Sequence, residues 1–175
     1  MTSKAKALSA MPGDAVGDAP GNAGRGAPDG ANGGERLAYG RLDDLLGYHL
    51  RRAQVLSFQN FVEVLGDKIS PGQVGVLCLV SANPGINQTR VGNALGIDRS
   101  TLVAVIDRLE DRGLIERTPS PKDRRSHALV LTKGGQDYLD QTLPQLAEHE
   151  RQIADRLSAD ERRTLIDLLQ RVGGS

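Results

Sequence analysis

Between Asn87 and Leu131, two short helical patterns are separated only by Gly96-Ile97-Asp98 and run directly into two short β-prone segments. Few folds accommodate that order. Asn87 to Leu95 reads as a short helix closed by Gly96, which takes the left-handed position that commonly ends helices. Asp98 caps a second helix that reaches Arg112 and closes at Gly113. After Gly113 the apolar period changes. Leu114 to Thr118 and His127 to Leu131 read as strands. They are joined by the polar loop Pro119-Ser120-Pro121-Lys122-Asp123-Arg124-Arg125-Ser126. A helix-turn-helix followed at once by a basic hairpin is a winged helix-turn-helix pattern.

The flanking segments are helical. From Glu35 to Leu65 the chain reads as one long helix, with Leu42, Leu45, Leu46, Leu50, Ala53, Leu56, Phe61 and Leu65 at three- and four-residue steps. Val55, Val62 and Val64 fall off that stripe, so this helix needs more than one partner, and a second subunit is a natural one. Ser70-Pro71-Gly72-Gln73 is a capping box with proline at the first helical position, opening a mostly apolar helix to about Ala82. Thr132 caps a helix through about Leu157, with a kink expected at Pro144. Ser158-Ala159-Asp160-Glu161 is a second capping box before a last helix carrying Leu165, Ile166, Leu168, Leu169 and Val172. The fold class expected is mainly α with a small β-hairpin wing. Residues 67–131 form the winged lobe, and 35–66 with 132–175 form a helical dimerisation region. Residues 1–34 hold eight Gly and eight Ala. They have too little apolar surface to offset backbone ordering, and read as a disordered tail or an added extension.

Composition narrows the function. Lys+Arg and Asp+Glu are both 22, and a zero balance by itself argues against nucleic acid. The distribution reverses that objection. Residues 85–133 hold nine cations and six anions, and residues 134–175 hold five and eight. One cysteine excludes an intramolecular disulfide scaffold. The sequence has no apolar run of membrane-spanning length and no secretory signal core, so a cytoplasmic protein is expected. No nucleophile triad, phosphate-binding glycine loop or metal signature is visible, which argues against an enzyme and against a bound cofactor or metal.

The helix from Asp98 divides by face. Leu102, Val105, Ile106 and Leu109 form one apolar stripe. Ser100, Ala104, Asp107 and Asp111 point the other way, flanked by Thr101, Val103 and Arg108, with Arg99 in the first turn. Small residues near its N-terminus let such a helix sit deep in a major groove, where Ser and Thr bond base edges or phosphates and Ala or Val meets a thymine methyl. Asp107 and Asp111 would repel phosphate, so the N-terminal half should enter. Arg99, Ser100, Thr101, Val103, Ala104 and Arg108 are the expected DNA contacts on the helix. On the wing, Lys122, Arg124 and Arg125 supply positive charge for a narrow minor groove, and Asp123 holds one arginine in a fixed rotamer.

These residues resemble the MarR family of winged-helix repressors. The likeness lies in Ile97-Asp98-Arg99-Ser100-Thr101-Leu102, in Asp107 through Arg117, in Asp123-Arg124-Arg125, and in Leu131-Thr132-Lys133-Gly134-Gly135. It spans about 36–172. The resemblance implies a homodimer with interlocked first and last helices, bound to double-stranded DNA at a pseudo-palindromic operator. It also implies release when a small molecule, often an aromatic acid, enters between the dimer helices and the DNA lobe.

The first helix suggests where such an effector meets the protein. Tyr48, His49, Arg51 and Arg52 fall within about one turn, with Tyr39 upstream, and aromatic walls with a guanidinium suit the acidic end of an aromatic acid or its CoA thioester. Dimer packing by the tyrosines is the simpler reading. Cys78 lies in the apolar run Val76 to Val80 and reads as core. A redox-sensing repressor and a winged-helix protein-interaction module without DNA binding are the alternatives. A protein-interaction module has no need of Arg124 and Arg125.

Overall fold

The computed structural model describes residues 37–119 and 127–174. The Gly/Ala-rich segment and the wing tip expected from the sequence lie outside them. The chain divides between Asp43 and Asp44. The first unit is described only from Leu37, and the 3-10 turn Gly40–Asp44 begins in it, with the Leu42 amide donating to the Tyr39 carbonyl at 3.1 Å.

The single long helix expected from Glu35 is therefore interrupted. Gly40 has φ +57°, and Leu45 is extended at φ −94°, ψ 110°. Helical backbone cannot pass through either residue, and α1 begins only at Leu46 and runs to Leu65. The leucine spacing upstream mimics a helix, but Leu37, Leu42 and Leu45 are exposed.

In the second unit α2 spans Pro71–Ala82 and carries the expected capping box. The Gln73 amide donates to Ser70 Oγ at 3.2 Å, and the Ser70 amide donates to Gln73 Oε1 at 2.9 Å. Val76, Leu77 and Val80 are fully buried, so α2 is the central post of the lobe. β1 (Ile86–Asn87) leads into α3 (Gln88–Leu95), capped by Asn87. Next come α4 (Arg99–Asp111), β2 (Ile115–Pro119) and β3 (His127–Leu131). β2 and β3 pair antiparallel from Ile115 opposite Leu131 to Pro119 opposite His127. β1 adds to the far side of β3, giving the order β1-β3-β2. A two-residue strand is too short to carry a period, which is why only a hairpin was legible.

α5 covers Lys133–Ile153 and stays helical through Pro144, and α6 covers Ala159–Gly173. α5 ends four residues before the expected Leu157, and Ser158 caps α6 as expected, its Oγ accepting from the Glu161 amide. α1 packs along α5. At that contact His149 is 4% exposed, with Nδ1 2.7 Å from Asn60 Oδ1 and its ring edge-on to Phe61. Asn60 also donates to Gln152 Oε1 at 2.7 Å. These bonds satisfy polar groups that would be costly to bury unpaired. α6 has no buried residue in a single protomer, and Leu165, Ile166, Leu168, Leu169 and Val172 are all exposed.

Candidate nucleic-acid interface

Gly96 closes α3 in the left-handed region at φ +64°. The chain then passes tightly from α3 to α4: a Cβ at Gly92 would lie 3.1 Å from the Ile97 carbonyl oxygen. A side chain at Gly92 would press on that carbonyl, and one at Gly96 would be strained by the left-handed backbone. α4 buries Leu102, Val105, Ile106 and Leu109 against the core, each at 5% exposure or less. Full burial of such side chains stabilises by roughly 1.5–3 kcal/mol apiece, which fixes the helix's rotation about its axis. The opposite face is thereby turned outward. Arg99, Ser100, Ala104, Asp107, Arg108 and Asp111 are exposed or partly so, and Thr101 and Val103 are half-buried.

Asp98 does more than cap. Its Oδ1 accepts from the Ser100 and Thr101 amides, both at 3.0 Å. Its two oxygens also accept the hydroxyls, Ser100 Oγ at 2.5 Å on Oδ1 and Thr101 Oγ1 at 2.6 Å on Oδ2. The hydroxyls of Ser100 and Thr101, followed by the Thr101 and Ser100 amides, hold the Asp98 carboxyl far below the usual carboxylate range. These bonds favour its ionised form. An open hollow of about 580 Å³ lies here, lined by Asp98, Arg99, Ser100 and Val103.

Asp107 does not stand unpaired at the far end of this face. Arg117 on β2, only 20% exposed, pairs with both Asp107 and Glu110, and its amide donates to Glu110 Oε1 at 3.3 Å. That ion-pair cluster fixes the base of the wing to α4 and offsets two of the carboxylates that would repel phosphate. Sequence reasoning missed Arg117. Its signal was a cation inside a short strand, seven and ten residues beyond two acids across a tight glycine turn. Arg112 was missed as well. It donates to the Lys68 carbonyl at 3.0 Å and sits 4.9 Å over the Tyr138 ring, tying the end of α4 to the α1–α2 loop and to α5. Lys122, Asp123, Arg124 and Arg125 lie outside the described residues.

This arrangement is that of a winged helix-turn-helix, and its sequence matches one family. The MarR family pattern fits residues 69–127. A Thauera aromatica protein, named as a candidate transcriptional regulator of the hcr operon, is 37% identical over 138 residues, covering 78% of this chain and 83% of that protein. The chain belongs to the MarR family. Among solved MarR-type regulators, the transcriptional repressor CouR bound to a 23-mer DNA duplex superposes with a TM-score of 0.74 at 42% identity, covering 79% of this chain and 99% of CouR. CouR bound to p-coumaroyl-CoA superposes at 0.70 with 41% identity, covering 79% and 98%. This MarR-family chain is thus a transcriptional regulator built on a DNA-binding winged helix.

Of the residues suggested for an effector, Tyr48, His49 and Arg52 come together on α1. The Tyr48 and His49 rings meet edge to face at 5.3 Å. The Arg52 guanidinium lies 5.7 Å from the Tyr48 ring centre and donates to its hydroxyl at 3.3 Å. Arg51 instead reaches Gln54 at 3.4 Å. Tyr39 belongs to the preceding unit. Cys78 packs against the core, and burial pushes its thiol up, away from the reactive thiolate. Among the described residues no three His, Cys, Asp or Glu gather as metal ligands, and no helix is long and apolar enough to cross a membrane.

Proposed function

We propose that this chain is a homodimeric repressor that holds a pseudo-palindromic operator with α4 and the wing of each subunit and releases it on binding an aromatic acid or its CoA thioester. The observation that carries this is the outward face of α4. It is small and hydroxyl-bearing at its N-terminal end, capped by Asp98, and its C-terminal acids are partly neutralised by Arg117. A groove of the width of B-DNA's admits such a helix. The likeness to DNA-bound CouR supports the reading. Residues 35–66 and 132–175 are the dimerisation region, and the exposed apolar face of α6 is what a second subunit would cover. As a DNA-binding regulator it would work in the cytoplasm. Selection of duplexes from a random pool is the test. It is expected to return an inverted repeat with half-sites about one helical turn apart, bound with steep salt dependence. Recovery of no sequence, with binding indifferent to salt, would favour a protein-interaction module instead.

For the effector, the Tyr48–His49–Arg52 cluster and Arg51 supply aromatic walls and cations on a helix whose neighbouring Leu56 and Phe58 are exposed. CouR's ligand is an aromatic CoA thioester, which suits the same chemistry. Alanine at His49, Arg51 or Arg52 is expected to leave operator affinity within about twofold. At Arg52 it should raise the concentration of p-coumaroyl-CoA or a free phenolic acid needed for release by roughly tenfold, as loss of one charge-assisted bond of about 1.5 kcal/mol predicts. Unchanged release by all three variants, read by fluorescence anisotropy, would place the effector elsewhere.

A further inference from the structure

We propose that Asp98 determines which bases α4 reads: by drawing both hydroxyl protons onto its carboxylate, it presents the oxygens of Ser100 and Thr101 to the major groove as acceptors, matched to the amino groups of adenine or cytosine. The inference rests on the DNA-binding reading above and deepens it. A carboxylate only accepts, and a hydroxyl has one proton to give. With Ser100 Oγ 2.5 Å from Asp98 Oδ1 and Thr101 Oγ1 2.6 Å from Oδ2, both protons point toward Asp98. Each oxygen keeps lone pairs directed away from Asp98. Ser100 is exposed and Thr101 half-buried, beside the open hollow that Arg99 and Val103 also line.

In the major groove, adenine N6 and cytosine N4 are donors, whereas guanine O6 and N7 and thymine O4 are acceptors. An oxygen whose proton is already engaged by Asp98 pairs with the first class and is repelled by the second. It is equally unsuited to a phosphate oxygen. Asp98 does not touch DNA in this scheme. It is a positioning residue that acts through the two hydroxyls.

Asp98→Asn separates this role from capping, because asparagine caps as well as aspartate. Two backbone amides and Ser100 Oγ converge on Oδ1, so the amide oxygen of the introduced asparagine must take that place. Its NH2 group then falls at the former Oδ2 position and donates to Thr101 Oγ1. The Thr101 proton is thereby turned toward the groove, while Ser100 is unaffected.

The experiment is selection from a random duplex pool with the full chain, comparing wild type, Ser100→Ala, Thr101→Val and Asp98→Asn. Ser100→Ala and Thr101→Val each flatten one column of the half-site and so locate the base pair read by each hydroxyl. In the wild type those columns favour adenine or cytosine facing the hydroxyl. Asp98→Asn shifts the Thr101 column toward guanine or thymine by roughly two- to tenfold, the worth of one net hydrogen bond, and leaves the Ser100 column unchanged. The proposal is overturned if the located columns favour guanine or thymine in the wild type, if Asp98→Asn selects the wild-type profile, or if neither hydroxyl variant alters any column. A wild type that selects no sequence at all would instead sink the DNA-binding reading itself.

Discussion

Gly135→Ala is expected to destabilise the protein by about 3 kcal/mol, whereas Gly134→Ala, one residue earlier on the same helix, is expected to be neutral or slightly stabilising. A Cβ at Gly135 would overlap the Leu114 carbonyl oxygen and lie 2.8 Å from the carbonyl carbon. Those are backbone atoms and cannot rotate aside. The same carbonyl accepts from the Thr132 amide at 3.1 Å, and Thr132 Oγ1 both donates to the Gly113 carbonyl at 2.6 Å and accepts from the Gly135 amide at 2.9 Å. Relief of the overlap would break this clamp, so the cost should reach the upper end of the range seen for overpacking. At Gly134 the nearest atom to an added Cβ is Thr132 Oγ1 at 3.6 Å, an ordinary contact, and alanine's better helix propensity should add up to about 1 kcal/mol. Thermal unfolding followed by circular dichroism should separate the two variants by roughly 10 °C. The clamp joins the exit of α4 to the return strand of the wing, so Gly135→Ala should also weaken operator binding at temperatures where it remains folded. Equal melting of the two variants would mean that α5 can slide away from β2 without loss.

That clamp also marks the limit of what the sequence disclosed. Capping and apolar period are local signals, and the elements they define were legible: the capping boxes at Ser70 and Ser158, the Asp98 cap, and the stripe Leu102, Val105, Ile106 and Leu109. The turn at Gly96 followed from a residue type whose backbone freedom is specific. Features made by meetings of distant segments were not legible. The Arg117 pairing with Asp107 and Glu110, the Arg112 tie to Lys68 and Tyr138, and the contact of Gly135 with Leu114 each need the three-dimensional path of the hairpin. The long first helix failed for the converse reason. Its leucines keep helical spacing through 37–46, but a period states only that residues would share a face if the chain were helical. Gly40 and Leu45 adopt conformations that prevent it. On the outward face of α4, the sequence identified the residues but not their state. Ser100 and Thr101 were expected to bond bases or phosphates without restriction, and the structure commits their protons to Asp98.

Alanine at both Arg124 and Arg125 is expected to weaken operator binding by two orders of magnitude or more near physiological salt, with little change in thermal stability. The reason lies in how the other cations near the interface are used. Arg117 is engaged by Asp107 and Glu110, and Arg112 faces Lys68 and Tyr138. α4 itself carries two cations, Arg99 and Arg108, against three acids, Asp107, Glu110 and Asp111, so with Arg117 the group is balanced. The helix therefore brings shape and hydrogen-bonding groups but almost no net charge, and under the proposed function much of the phosphate attraction that dominates DNA affinity falls to the loop between Pro119 and His127. Removing one base- or phosphate-contacting arginine typically costs about 1–3 kcal/mol, and a dimer loses the pair twice. The salt dependence says where the arginines act. If they contact phosphates, the slope of log affinity against log salt should fall by about 0.9 for each contact removed. If they enter a narrow minor groove, the loss should instead concentrate on duplexes with A·T-rich flanks. Fluorescence anisotropy on the selected operator and on a scrambled duplex, across a salt series, measures both. An unchanged affinity would show that cations outside this loop hold the DNA, and would remove Arg124 and Arg125 from the interface.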